Sequence, residues 1–223
     1  MLVTTKEMLL DAQKNHYAVG AFNVENLEFV MAVLAAAEET KSPVIMQTTP
    51  GTIKTAGLDY FYGMVAAAAA RTDVPVALHL DHGDGYNRCM QAFRTGYTSV
   101  MIDGSHESFE DNIALTASVA RAGAAMGVPV EAELGKVGGK EDDGPAVEGE
   151  NPYTDPEEAR EFVERTGCTS LAIGVGTAHG VYTETPHIEQ EVVKAIRAAV
   201  DVPLVLHGTS GVPDEQVAEA VKN

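Results

Sequence analysis

Short apolar runs that follow a proline recur along the chain and alternate with longer, Ala-rich amphipathic stretches. The pattern stands at KSPVIMQTTPG, DVPVALHLDHG, GVPVEAELGKVGG and DVPLVLHGTSG, around Pro43, Pro75, Pro129 and Pro203. Proline at the first residue of a strand removes no donor that the sheet needs, and apolar runs without polar alternation indicate strands covered on both faces. Such strands are typical of parallel sheets.

Three further runs complete the pattern: YAVGAFNV near residue 20, YTSVMIDGS near residue 100 and CTSLAIGVGTAHG near residue 172. Helical patterns such as 27–40 and 157–166 separate the runs, so the sequence predicts seven βα units in succession. This favours a TIM (β/α)8 barrel that forms a single domain over residues 1–223. An open doubly wound sheet is the alternative, but its G-x-G-x-x-G loop is missing after the first strand, where AFNVENLE stands.

The sequence ends after the helical pattern DEQVAEAVKN, which follows the seventh predicted strand. The eighth strand and the C-terminal helices of a complete barrel are therefore absent from it. A barrel without one strand exposes two sheet edges. We expect the chain to be a C-terminally truncated piece of a longer barrel protein.

Composition narrows the classes of function. The 33 acidic residues outnumber the 15 basic ones and give a formal net charge of −18, which argues against nucleic acid and anionic membranes as partners. No apolar run approaches the roughly 18 residues of a membrane span, and the N-terminus lacks signal-peptide features, so we expect a cytoplasmic protein. The two cysteines, Cys89 and Cys168, lack metal-ligand spacing and are interpreted as packing residues.

Polar residues stand at the ends of the predicted strands, where barrel enzymes carry their working groups. Three of these ends contain a histidine: His82, His179 and His207. Three neutral imidazoles can form a zinc site that keeps a coordination position open for substrate, although each could instead be an ordinary hydrogen-bonded residue. Strict alternation puts His79 and Asp81 on one side of the third strand, so His82 reaches a shared metal only if that strand bulges or ends.

Two loops add candidate chemistry. The long segment GKVGGKEDDGPAVEGENPYTDP carries Glu141 among glycines, and a mobile carboxylate there could transfer a proton beside a carbonyl; a solvated acidic loop is the alternative. Small residues at Gly180 and at Gly208, Thr209 and Ser210 would let backbone amides approach a phosphate closely.

The ordered motifs LHLDHG, SVMIDGSH, VEAELGKVGGKEDD, GTAHGVY and LVLHGTSG resemble those of the class II, metal-dependent ketose-bisphosphate aldolases. The resemblance covers essentially the whole chain. It implies reversible aldol cleavage of a ketose 1,6-bisphosphate to dihydroxyacetone phosphate and glyceraldehyde 3-phosphate, in a homodimer or homotetramer.

The resemblance also implies roles for individual residues. His82, His179 and His207 correspond to the ligands of Zn²⁺, Asp81 to the residue that takes the C4 hydroxyl proton, and Glu141 to the base that acts on dihydroxyacetone phosphate. The candidates for binding the phosphate and a monovalent cation such as Na⁺ or K⁺ are Gly180, Gly208, Thr209 and Ser210. The candidates for binding a second divalent ion, or for supporting the first, are Asp103 and Glu133. The candidates for further substrate contacts are Asn23, Gln47 and Thr49.

Two sequence features bear on the substrate and on the activity of the chain. GTAHGVY and HGTSG are closer to the tagatose-type branch of the family than to the fructose type. The family's N-x-x-T motif on the eighth strand has no match, which predicts little activity if the polypeptide ends at Asn223. A zinc hydrolase and an inactive metal-binding barrel fragment are the rival interpretations, whereas a class I aldolase would need a lysine at a strand end.

Overall fold

The computed structural model describes residues 1–139 and 153–223. Within this part of the chain, one sheet contains seven strands, which are all parallel and follow one another in chain order. The strands are β1 (Gly20–Asn23), β2 (Val44–Thr48), β3 (Val76–Gly83), β4 (Ser99–Ile102), β5 (Val130–Leu134), β7 (Ser170–Ile173) and β9 (Leu204–Val205). A separate two-stranded sheet pairs β6 (Gly138–Gly139) with β8 (Ala178–His179).

This topology confirms the predicted barrel class. Consecutive parallel neighbours are what successive βα units produce, and β1 and β9 are the two edges of the sheet in the described residues. In the part of the chain that the structure describes, the sheet is a TIM-type half-barrel without a strand that closes it. The carboxyl ends of its strands therefore meet along one rim.

Helices connect the strands and cover the outer face of the sheet. They are α1 (Thr5–Asn15), α2 (Leu27–Thr40), α3 (Pro50–Ala56), α4 (Leu58–Ala69), α5 (Tyr86–Thr95), α6 (Phe109–Met126), α7 (Pro156–Thr166), α8 (Gln190–Ala199) and α9 (Asp214–Lys222). The boundaries have local causes: Asp155 caps the first turn of α7, Pro156 fits its first position, and Gly167 ends it with a positive φ. The predicted helices at 27–40 and 157–166 are confirmed, the second beginning one residue earlier.

The core lies between the sheet and the helices in two main clusters. One contains Met46, Leu78 and Phe61, and the other Leu171, Phe162 and Ile196. Cys89 and Cys168 are buried in these clusters as free thiols, which confirms their role in packing. In the described residues no helix is both long and apolar enough to cross a membrane.

Helix α1 lies at the amino-terminal end of the sheet, opposite the rim. Leu2 forms a parallel bridge with Val76, the first residue of β3, and Met8 packs against Ile45 and Ala77. Thr5 is buried and donates a hydrogen bond to the side chain of Ser99 at the start of β4. This end of the half-barrel is thus closed by the chain's own N-terminal helix.

The prediction that the sixth strand runs as far as His179 was wrong. The strand β7 ends at Ile173, where the backbone of Gly174 bonds to Thr154. The Gly174 amide donates to Thr154 Oγ1 at 2.8 Å and, at the longer distance of 3.4 Å, to the Leu134 carbonyl, and the Gly174 carbonyl accepts from the Thr154 amide at 2.9 Å. Gly176 then adopts a φ of +98°. His179 consequently lies in β8, outside the main sheet.

Candidate active site

Three histidine rings converge at the carboxyl-terminal rim. His82 is contributed by the end of β3, His179 by β8, and His207 by the segment after β9. The ring centroids are 4.9 Å apart for His82 and His179, 4.7 Å for His82 and His207, and 5.6 Å for His179 and His207. One nitrogen from each ring lies within 4.8 Å of the others, which is the spacing of groups that can share a metal ion. We call these residues the histidine cluster.

A bulge brings His82 into this cluster. The pairing of β3 with β4 shifts register between Leu80 and Gly83, and His82 adopts a φ of +44°, which is uncommon for a residue with a side chain. Gly83 permits the close approach, since a Cβ there would lie 2.4 Å from the carbonyl oxygen of Met101. The bulge that the alternation of β3 required is therefore present, and Asp81 and His82 both reach the rim.

Carboxylates fix the orientation of two of the rings. His82 Nδ1 donates to Asp103 Oδ2 at 2.8 Å, and His207 Nε2 donates to Glu131 Oε1 at 3.0 Å. These contacts leave His82 Nε2 and His207 Nδ1 facing each other at 3.0 Å. Metal-binding histidines in proteins are commonly oriented by a carboxylate on the second ring nitrogen.

Burial and carboxylates set the protonation of the cluster in opposite directions. Burial opposes charge on His82, but its hydrogen bond to Asp103 and the nearby Asp81 outweigh burial and raise its pKa to about 10. Burial is likewise overcome at His207, where Glu131 raises the pKa to about 9. At His179, burial and the two neighbouring rings lower the pKa to about 3.

Burial and neighbouring charges also shift the pKa values of the acidic groups around the cluster. Burial, and then the proximity of Asp103, raise the pKa of Glu133 to about 7. Glu133 Oε2 lies 3.9 Å from His82 Nδ1 and has no hydrogen-bond partner among the described residues. Burial favours the neutral form of Asp103, but its contacts with His82 hold the pKa of that carboxyl well below its usual range.

The residues present fit a divalent cation. Asp81, Asp103, Glu131 and Glu133 lie around three imidazoles, and a cation would neutralise this concentration of carboxylates. A three-imidazole donor set suits Zn²⁺ and leaves coordination positions for oxygen ligands. His82, Asp103 and Glu133 form a second group with ligating atoms within 4.8 Å of one another.

Asp81 lies beside the histidine cluster and is held by a neighbouring strand. Gln47 Nε2 donates to Asp81 Oδ2 at 2.7 Å and to Asn23 Oδ1 at 2.8 Å. Asp81 is 2% exposed, and its Oδ1 has no hydrogen-bond partner in the described part of the chain. Thr49 is buried and caps helix α3, its hydroxyl accepting from the amide of Thr52 at 3.2 Å.

The predicted phosphate-binding segments lie next to each other at the rim. A Cβ on Gly208 would lie 2.5 Å from the carbonyl oxygen of Ala178, so the segments that carry His207 and His179 touch through their backbones. Gly180, Thr209 and Ser210 are exposed. Glu141 lies outside the described residues.

Two residues of the site had no predicted role. Tyr182 accepts from the Ala178 amide at 2.6 Å and donates to the Gly208 carbonyl at 2.8 Å, so its hydroxyl ties the two segments together. Glu131 orients His207. A sequence signal existed for Glu131, because the alternation in VEAEL puts it on the same face of β5 as Glu133.

The comparisons with known proteins agree with this geometry. The family model for class II fructose-bisphosphate aldolases matches residues 3–223. The YdjI aldolase from Escherichia coli K12 is 43% identical, with a TM-score of 0.89 over 100% of this chain and 78% of that chain.

Two further solved structures are also similar. A protein from Coccidioides immitis that carries the provisional name fructose-1,6-bisphosphate aldolase is 34% identical, with a TM-score of 0.90 over 97% of this chain and 77% of its own. The fructose-bisphosphate aldolase of Campylobacter jejuni is 26% identical, with a TM-score of 0.79 over 99% and 74%. The resemblance seen in the sequence is thereby confirmed, and the chain belongs to the class II fructose-bisphosphate aldolase family, whose members are zinc-dependent lyases.

Proposed function

We propose that the chain catalyses the reversible aldol cleavage of tagatose 1,6-bisphosphate, with fructose 1,6-bisphosphate as the alternative substrate. The observation that carries the proposal is the convergence of three imidazoles from separate segments beside a buried aspartate. The preference for tagatose rests on the sequences GTAHGVY and HGTSG alone.

In this proposal His82, His179 and His207 hold the zinc ion. When bound, zinc supplies Lewis acidity toward the carbonyl and hydroxyl oxygens of the ketose. Asp103 and Glu131 hold the His82 and His207 rings in place through the second ring nitrogens. No Schiff base is needed.

Asp81 is the proposed general base of the cleavage direction. As the C3–C4 bond breaks, its Oδ1 takes the proton of the C4 hydroxyl, C4 becomes the aldehyde of glyceraldehyde 3-phosphate, and the electron pair of the broken bond passes to the dihydroxyacetone phosphate half. Oδ2 is engaged by Gln47, which leaves Oδ1 as the atom available to substrate. In condensation the same atom returns the proton.

Glu141 is the proposed partner of Asp81 at C3. It would deliver a proton there during cleavage and remove one from dihydroxyacetone phosphate during condensation, the role that the family resemblance assigns to its motif. Its position lies outside the described residues, so this role rests on the sequence alone.

The phosphate is proposed to bind at Gly180, Gly208, Thr209 and Ser210, with a monovalent cation nearby. Backbone amides and a cation would provide the positive field that a chain of formal charge −18 otherwise lacks. The group formed by His82, Asp103 and Glu133 is proposed to take a second divalent ion or to support the first.

A coupled assay that follows glyceraldehyde 3-phosphate tests the proposal on both ketoses. We expect cleavage that a chelator abolishes and zinc restores, and we expect Asp81→Asn to retain zinc while kcat falls about 10²- to 10⁴-fold, the usual contribution of a general base. Zinc binding without turnover of either ketose would favour the inactive fragment instead. A higher kcat/KM for fructose 1,6-bisphosphate would reverse the choice of substrate.

A further inference from the structure

A buried line of polar side chains leads from helix α1 through the half-barrel to His207. Thr5 Oγ1 donates to Ser99 Oγ at 2.9 Å, and Ser99 Oγ lies 2.8 Å from His79 Nδ1. His79 Nε2 lies 3.8 Å from Glu131 Oε2, and the other oxygen of Glu131 accepts from His207. The distance of 3.8 Å is too long for a direct hydrogen bond, but it places the ring close to the charge of the carboxylate.

The proposed reaction gives no role to the first three members of this line. Thr5, Ser99 and His79 are at most 3% exposed, although polar groups are costly to bury and an apolar interior would fill the same space. Their burial therefore calls for a reason other than packing. The line ends on a residue of the histidine cluster.

The hydrogen-bond directions along the line are consistent with one another. Thr5 donates to Ser99, so the hydroxyl hydrogen of Ser99 is available to His79 Nδ1. Burial lowers the pKa of His79, and a neutral ring whose Nδ1 accepts carries its hydrogen on Nε2. That N–H faces Glu131, which is thus approached by N–H groups from His79 and His207 on its two oxygens.

We propose that His79 is a positioning residue for the proposed zinc ligand His207 and that it acts through Glu131. The Nε2–H dipole of His79 attracts Oε2 of Glu131 and so favours the carboxylate orientation that keeps the proton of His207 on Nε2 and leaves Nδ1 for the metal. Ser99, with Thr5 behind it, holds the His79 ring from the closed end of the half-barrel. The inference rests on the zinc site of the proposed function.

Two substitutions at His79 separate this role from a purely structural one. The amide nitrogen of Gln reaches about as far as Nε2 of histidine, so His79→Gln keeps a donor toward Glu131 and gives up the contact with Ser99. The shorter His79→Asn keeps a polar group near Nδ1 for Ser99 and loses the donor toward Glu131. A role in positioning Glu131 predicts weaker metal binding by His79→Asn than by His79→Gln, whereas a role limited to the hydrogen bond with Ser99 predicts the reverse order.

The measurement is the affinity of the purified full chain for Co²⁺ and Zn²⁺ in competition with a chromophoric chelator, together with the visible absorption of the Co²⁺ form. We expect His79→Gln to stay within about fivefold of the wild type, the effect of losing the hydrogen bond with Ser99. We expect His79→Asn to bind about 10- to 100-fold more weakly, the usual effect of losing a group that orients a ligand. Equal affinities for the two variants, or weaker binding by His79→Gln, would overturn the proposal.

Ser99→Ala provides an independent test if neither His79 variant folds. It removes one neutral hydrogen bond from His79, and we expect metal affinity to fall about fivefold. Wild-type affinity in Ser99→Ala would then contradict the proposal. Failure of the wild-type chain to bind either metal would instead contradict the proposed function and, with it, the role of His79. A failure of the His79 proposal alone is therefore distinguishable from a failure of the proposed function.

Discussion

The side-chain amide of Gln47 donates one hydrogen to Oδ2 of Asp81 at 2.7 Å and the other to Oδ1 of Asn23 at 2.8 Å. Both hydrogens of the amide are thereby used, and the Asp81 carboxylate is held from one side only. Its second oxygen, Oδ1, is buried and has no partner among the described residues. The proposed base thus has one oxygen engaged and one available.

Replacing Gln47 with Leu should impair turnover without removing the metal. A hydrogen bond to a charged group is worth about 1.5–3 kcal/mol, so kcat should fall about 10- to 100-fold as the Asp81 carboxylate loses its orientation. Zinc content should not change, because the hydrogen bonds of Gln47 run to Asp81 and Asn23 rather than to the histidine cluster. Asn23→Ala, which leaves the bond to Asp81 intact, is the matched control and should cost less. A wild-type kcat in Gln47→Leu would contradict this account.

Asp103→Asn should weaken zinc binding. Asp103 accepts from His82 Nδ1 through Oδ2 and from Ser105 through Oδ1. The asparagine variant can keep the contact with Ser105 through its amide oxygen, but it loses the negative charge that faces His82. We expect about a 10- to 100-fold loss of zinc affinity, measured by chelator competition. Ser105→Ala removes only the hydroxyl contact and serves as the control. Equal affinities in Asp103→Asn and the wild type would show that this carboxylate does not support the metal site.

Metal affinity should increase with pH across the neutral range. In the ion-free protein the pKa of His82 is raised to about 10 and that of His207 to about 9, so at pH 7 the facing nitrogens of the two rings, 3.0 Å apart, share a proton that a metal must displace. Each displaced proton makes the apparent affinity rise about tenfold per pH unit until the pKa of its group is reached. Co²⁺ titrations between pH 6.5 and 8.5, in buffers of different ionisation enthalpy, measure both the slope and the proton release. An affinity independent of pH would contradict the assigned protonation.

Two glycines near the site should differ in their tolerance of alanine. Gly180 has a φ of +93°, and a Cβ added to it would meet no atom within 4 Å, whereas a Cβ on Gly208, which has a φ of +67°, would lie 2.5 Å from the Ala178 carbonyl oxygen. Gly180→Ala should lower the free energy of unfolding by about 1–2 kcal/mol through its backbone conformation. Gly208→Ala should lose more, since backbone atoms must move. Urea unfolding of the two variants measures the difference, and equal losses would argue against the close contact.

The strands and helices were predictable where local sequence decides them. The proline-led apolar runs predicted the order and parallel direction of the strands, and the amphipathic pattern of 27–40 matches α2 because its caps, Asn26 and Lys41, lie directly beside it. The bulge at His82 was predicted as a requirement of the shared metal site, since alternation along β3 alone would have turned the ring away from that site. These features lie close in sequence to the elements that they determine, and this is why the sequence predicts them.

The parts that could not be predicted depend on contacts between distant segments. The end of β7 is decided by Thr154, which occupies both backbone groups of Gly174 from a segment 20 residues away. Periodicity contains no information on that contact, so the sequence placed His179 in the wrong element. Tyr182 bridges two segments only once both are folded, and Glu131 on β5 contacts His207 past the intervening strand β7.

Zinc titration of the ion-free chain, followed by X-ray absorption spectroscopy of the loaded protein, tests the central claim most directly. The account predicts saturable binding of zinc with three imidazole nitrogens in its coordination sphere, and loss of that signal in His179→Ala, whose ring lies in the cluster but outside the main sheet. Absence of saturable binding, or a zinc spectrum that His179→Ala leaves unchanged, would contradict it.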